Sequence, residues 1–88
     1  MIVVRNKKDI EREVKNIIVN QLGADWDELQ NNTRFKEDLG VDSLDLIELS
    51  MEFESQFDIN DKVTRKELEK IQTVGDVIDI ISRAKKKI

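Results

Sequence analysis

Ser43 stands in the run Asp38-Leu39-Gly40-Val41-Asp42-Ser43-Leu44-Asp45, where a glycine-bearing loop leads into a helical pattern. A hydroxyl at such a junction is well placed to carry a phosphodiester, because the first turn of a helix holds unpaired N–H groups and a partial positive charge. The surrounding charge argues against reversible anion binding. Asp38, Asp42, Asp45 and Glu48 crowd the serine and would repel a free anion, so a tethered group served by a basic partner protein suits the site better. Ser43 is a poor candidate for a catalytic nucleophile: the chain has no histidine to act as base and no Gly-x-Ser-x-Gly elbow around the serine.

Other chemistry is scarce. The absence of cysteine and histidine removes disulfides, thiolate nucleophiles and the commonest zinc ligands. The stretch from Asp58 to Glu69 has the length of a calcium loop, but Lys62 stands where an oxygen ligand belongs and Val63 where the sharp turn needs glycine. No metal site is expected. Trp26, the only tryptophan, reads as an anchor for its loop rather than a stacking platform, since no basic groove accompanies it.

The elements that must position Ser43 are helical. The 88 residues suit one small domain, and with no proline and only three glycines the composition favours an all-α fold. Ile10, Val14, Ile17, Ile18 and Leu22 recur at helical spacing, which predicts a first helix over about 7–21 with Asn6 as cap and Gly23 as its end. Residues 24–41 lose that periodicity and read as a long loop pinned by Leu29, Phe35 and Leu39. A second helix is expected from Asp42, its cap, to about Phe57. Thr64 and Glu67 have capping-box spacing and open a short third helix to about Lys70. Thr73 and Asp76 open a fourth that runs to about Lys86 and buries Val74, Val77, Ile78 and Ile81.

Helical geometry divides the second helix into two apolar arcs. Leu46, Leu49, Phe53 and Phe57 form one, the core stripe; Leu44, Ile47 and Met51 form another, with Asp45, Glu48, Glu52 and Glu54 around it. A small bundle needs only one stripe, so the second reads as a partner surface whose acidic rim steers a basic protein. Charge is segregated in the same sense. Residues 25–61 hold twelve acidic and two basic groups, against three and five before them and four and eight after. Nucleic acid is disfavoured as a partner, because phosphate binding needs a basic stripe. The apolar run at the amino terminus is too short for a signal peptide or a membrane span, so the chain reads as cytoplasmic.

The segment from Glu37 to Asp45, followed by Glu48-Leu49 and Met51, resembles the modification site of acyl carrier proteins. The similarity extends from about Val14 to Phe57, through Gln21-Leu22-Gly23 and Asn31-Asn32-Thr33, and returns from Glu69 to Asp76. The resemblance implies that Ser43 carries covalent 4′-phosphopantetheine, transferred from coenzyme A by a separate phosphopantetheinyl transferase using magnesium. It also implies that the protein is not an enzyme. A prosthetic thiol would hold acyl groups as thioesters, which a cysteine-free chain must borrow from a cofactor. The family's partner surface maps onto Asp42, Leu44, Asp45, Ile47, Glu48, Met51 and Glu54. Its acyl shelter would be lined here by core residues such as Leu46, Phe53, Leu68, Ile71 and Ile78.

Two departures from the family pattern stand out. Ser55 replaces an acid common in the family. The segment from Asp58 to Lys70 lacks the common proline, is about two residues longer, and carries Lys62, Arg65 and Lys66 where the family is acidic. The expectation is a single freestanding carrier domain over residues 1–88, an antiparallel four-helix bundle of three longer helices and a short third one. It would be monomeric, bind neither nucleic acid nor membrane, and serve acyl-transfer and chain-elongation enzymes of type II fatty-acid synthesis that bear basic docking patches. A carrier dedicated to a polyketide, lipid or aminoacyl pathway, and an unmodified helical adaptor, are the alternatives.

Overall fold

Asn6 opens the first helix by accepting a hydrogen bond from the Asp9 N–H at 3.0 Å, which satisfies one of the helix's unpaired donors. The computed structural model describes residues 6–59 and 65–85. Helix α1 spans Lys7–Leu22 and ends at Gly23 in the left-handed conformation, as the periodicity predicts. Helix α2 spans Ser43–Phe57, α3 is the short Arg65–Glu69, and α4 spans Val74–Lys85. Among the described residues the fold is all-α, with three longer helices and one short one. Its only strand-like pairing among the described residues is a single bridge between Arg34 and Thr73. No helix among them is long and apolar enough to cross a membrane.

The α1 stripe Ile10, Val14, Ile17 and Ile18 is buried and packs against α4 and α2. It meets Leu49, Phe53 and Phe57 from α2, and Val74, Val77, Ile78 and Ile81 from α4. Ile80 is buried as well, beyond the predicted α4 stripe. The start of α4 carries the expected reciprocal cap. The Asp76 N–H donates to Thr73 Oγ1 at 3.2 Å and the Thr73 N–H to Asp76 Oδ2 at 3.0 Å. Thr64, the predicted cap of α3, lies outside the described residues, as do Lys62 and the side chain of Leu68.

The long loop between α1 and α2 is an ordered strap. Asp25 caps a single 3-10 turn, Trp26–Glu28, and Thr33, buried, receives the Gln30 N–H on its hydroxyl at 2.9 Å. Three backbone bonds fasten the strap to the start of α4: Phe35 N–H to the Gln72 carbonyl at 2.9 Å, Val74 N–H to Thr33 at 3.0 Å, and Gly75 N–H to Asn31 at 2.7 Å. Gly75 allows the closest of these approaches, since a Cβ there would stand 2.9 Å from the Asn31 carbonyl oxygen. Leu29 and Phe35 enter the core as expected, and Leu39 packs partly against it. Trp26 does not anchor the strap. It is 40% exposed, because all three residues of its turn remain outside the core.

Helix α2 ends on Asp58, a non-glycine residue at φ 55° whose N–H bonds Glu54, while the N–H of the buried Ile59 donates to the same carbonyl at 3.1 Å. This aspartate is doubly unfavourable. Left-handed backbone strains an L-residue, and its carboxylate faces the negative pole of a helix with no basic residue in its last turn. Replacement Asp58→Gly is expected to raise unfolding stability by about 0.5–1 kcal/mol in urea titration; a loss would show that the carboxylate has a stabilising partner.

Candidate functional site

Ser43 is the first residue of α2, and the loop before it is held in place. The Val41 N–H donates to the Phe35 carbonyl at 3.0 Å, with Val41 itself buried, so the chain is fixed two residues ahead of the serine. Gly40 makes the turn into that position at φ 67°. A Cβ there would meet nothing within 4 Å, so the demand is for the left-handed backbone and not for space. Asp42 then caps the helix. Its carboxylate accepts the Asp45 N–H at 2.8 Å while that of Asp45 accepts the Asp42 N–H at 3.4 Å, a capping box made by two aspartates.

This arrangement changes the electrostatic picture around the serine. Of the four neighbouring acids, Asp42 and Asp45 spend their carboxylates on the cap. Asp38 is bound from behind: its two oxygens accept Arg34 Nε at 3.2 Å, Arg34 NH2 at 3.0 Å and the Arg34 N–H at 2.8 Å. Those hydrogen bonds hold the Asp38 carboxyl below its ordinary pKa. Of the four, only Glu48 is an exposed acid with no partner among the described residues. The Ser43 hydroxyl is exposed and takes no part in the cap. The N–H groups of Ser43 and Leu44 have no acceptor among the described residues, since the cap uses only that of Asp45. A phosphodiester on the Ser43 oxygen therefore fits, with open space for it and two backbone donors beside it.

Along α2 the two predicted arcs separate. Leu46, Leu49, Phe53 and Phe57 are buried, whereas Leu44, Ile47 and Met51 are 64%, 43% and 56% exposed. Asp45, Glu48 and Glu54 border this exposed stripe. Glu52 leaves it: its Oε1 accepts Gln56 Nε2 at 2.9 Å, and it faces a groove shared with Glu13, Asn16 and Ile17 of α1. A groove of about 150 Å³ begins at Ser43 and runs beside the stripe, lined by Lys36, Leu46, Ile47, Ser50, Met51, Glu54 and Glu69. It differs from the shelter expected in the core. Phe53, Ile71 and Ile78 are packed closed in the core, and of the expected lining residues with described side chains only Leu46 faces the groove.

Three groove residues, Ser50, Lys36 and Glu69, escaped the sequence reading. Ser50 lies among the apolar residues of α2, buried, with its hydroxyl donating back to the Leu46 carbonyl at 2.8 Å. Lys36 was legible only as one of two cations in an acidic stretch.

Comparisons with known proteins identify the family. A family model described as "Phosphopantetheine attachment site" matches residues 12–81. An acyl carrier protein of Akkermansia muciniphila is 49% identical over 74 residues, 84% of this chain and 90% of that protein. One of Chlamydia felis is 50% identical over 72 residues, 82% of this chain and 90% of that protein. Among solved structures, an acyl carrier protein of Thermotoga maritima superposes with a TM-score of 0.75 at 32% identity, covering 92% of each chain. That of Enterococcus faecalis gives 0.74 at 28%, covering 91% of this chain and 99% of the other. Matched over most of its length in both sequence and fold, the chain belongs to the acyl carrier proteins, which are carriers and not enzymes and bear covalent 4′-phosphopantetheine.

Proposed function

We propose that Ser43 is the attachment residue of a single carrier domain over residues 1–88, and that the chain delivers acyl groups to type II fatty-acid biosynthetic enzymes in the cytoplasm as a monomer. The observation that carries this reading is the Ser43 hydroxyl, exposed and uninvolved in the cap, at the mouth of a groove lined by Leu46, Ile47 and Met51. The arm supplies the thiol on which cargo is held as a thioester. The protein's own residues do the rest. Asp42 and Asp45 fix the helix start that presents the serine, and Val41 holds the approach to it. The apolar lining of the groove suits an aliphatic chain.

Partner enzymes would dock on Asp42, Leu44, Asp45, Ile47, Glu48, Met51 and Glu54. Exposed Leu44, Ile47 and Met51 offer the apolar contact, and the acids steer a basic patch toward it. The test is the intact mass before and after treatment with coenzyme A, magnesium and a phosphopantetheinyl transferase. One phosphopantetheine should be gained, and peptide mapping should place it on Ser43. No gain from a verified unmodified chain would favour the helical adaptor instead.

The same assay tests the docking surface. Reversal of Glu48 and Glu54 to lysine is expected to slow loading about tenfold or more at low salt. The wild-type rate should fall as salt rises to about 0.1 M, where the Debye length shrinks to about 10 Å, while the doubly reversed chain responds less. Equal rates and equal salt slopes would remove these acids from the interface.

A further inference from the structure

We propose that Lys36 is a positioning residue for the prosthetic arm: its ammonium pairs with the phosphodiester on Ser43 and lays the arm along the α2 groove. This rests on Ser43 being the attachment residue. Residues 25–61 carry only two cations, Arg34 and Lys36, against twelve acids. The two have different occupations. Arg34 is consumed by Asp38, with Glu37 a further 3.8 Å partner. Lys36 is exposed and has no ion pair among the described residues. It lines the same groove as Ser43.

The chemistry follows from that placement. A phosphodiester is an anion throughout the physiological range, and on Ser43 it would enter the neighbourhood of Glu48 with only two backbone donors from α2. Lys36 supplies the one cation among the described residues that line the groove, as a compact ammonium on a flexible stem. Pairing there biases the arm toward Ile47 and Met51 and away from solvent. Glu54, about three helical turns beyond Ser43 on α2, and Glu69 line the same groove and repel the same anion, which leaves Lys36 as the attractive charge among the described lining residues. In the unmodified chain Lys36 has no such task, and its loss should leave the fold intact.

The experiment uses fully loaded wild-type chain and the variants Lys36→Met and Lys36→Arg, each with its Ser43 adduct verified by mass. Nuclear Overhauser contacts from the geminal methyl groups of the arm to Ile47 and Met51 are recorded with the ³¹P shift of the phosphodiester. Wild type and Lys36→Arg should show the contacts, and Lys36→Met should lose them and shift the ³¹P resonance. In wild type the contacts should fade toward about 1 M salt, where the Debye length is about 3 Å. Thermal unfolding of the unmodified chains should be the same for all three. Undiminished contacts and an unmoved ³¹P shift in Lys36→Met would overturn the assignment of Lys36 while leaving Ser43 in place. Absence of an adduct on wild-type Ser43 would overturn both.

Discussion

Replacement Ser43→Ala is expected to abolish the phosphopantetheine mass gain entirely while changing unfolding stability by no more than about 0.5 kcal/mol. The two halves of this outcome have separate causes. On the proposed reading, loading requires the oxygen itself, because it bonds the phosphorus of the arm as the pyrophosphate bond of coenzyme A breaks and 3′,5′-ADP leaves. Stability does not depend on it, because the helix start is held by the reciprocal bonds of Asp42 and Asp45. Alanine is in addition the better helix former. Intact mass and a urea titration on the same preparations read both. A retained gain would place the arm on another hydroxyl, and loss of the gain with a large loss of stability would mean that Ser43 holds the helix end in place.

That separation was largely legible in the residues. Asn6 and Gly23 bracket α1, the i, i+3, i+4 stripe of α2 names its core face, and the exposed arc Leu44, Ile47, Met51 follows from counting 100° per residue. These are local signals, and local geometry decides them. The strap was legible only as a loop with apolar pins. Its order comes from bonds between backbone groups of Asn31, Thr33 and Phe35 and those of Gln72, Val74 and Gly75, and backbone amides carry no residue-type signature. Trp26 misled for a related reason: a large apolar residue suggests burial, but Leu29 and Phe35 take the strap's core positions. Glu52 sits between the two arcs, and its bond to Gln56 settles a tie that angle alone leaves open. The neutralisation of Asp38 was hidden in the same way, since an Arg34 four residues earlier becomes a partner only once the strap has turned.

The largest stability effect is expected at Phe35, which is 0% exposed and therefore surrendered completely to the core. Truncation to alanine should cost about 3–5 kcal/mol, a large share of the roughly 5–15 kcal/mol that holds a typical domain together. The consequence for function runs through the backbone of the same residue. Its N–H is bound to Gln72 and its carbonyl to Val41, so Phe35 joins the start of α4 to the loop that presents Ser43. With the ring removed, the strap loses the packing that keeps both bonds closed. Urea denaturation of Phe35→Ala should show the full loss, and Phe35→Leu a smaller one, since much of the buried volume remains. Amide exchange should then accelerate at Val41, Val74 and Gly75 more than along α1, because these groups are bonded across the strap and open with it. Uniform acceleration would mean that the domain opens only as a whole and that the strap has no stability of its own. A loss below about 1 kcal/mol would contradict the burial of the ring. The selective pattern would show that the loop leading to Ser43 is held in place by a core aromatic eight residues upstream of that serine, through one backbone hydrogen bond.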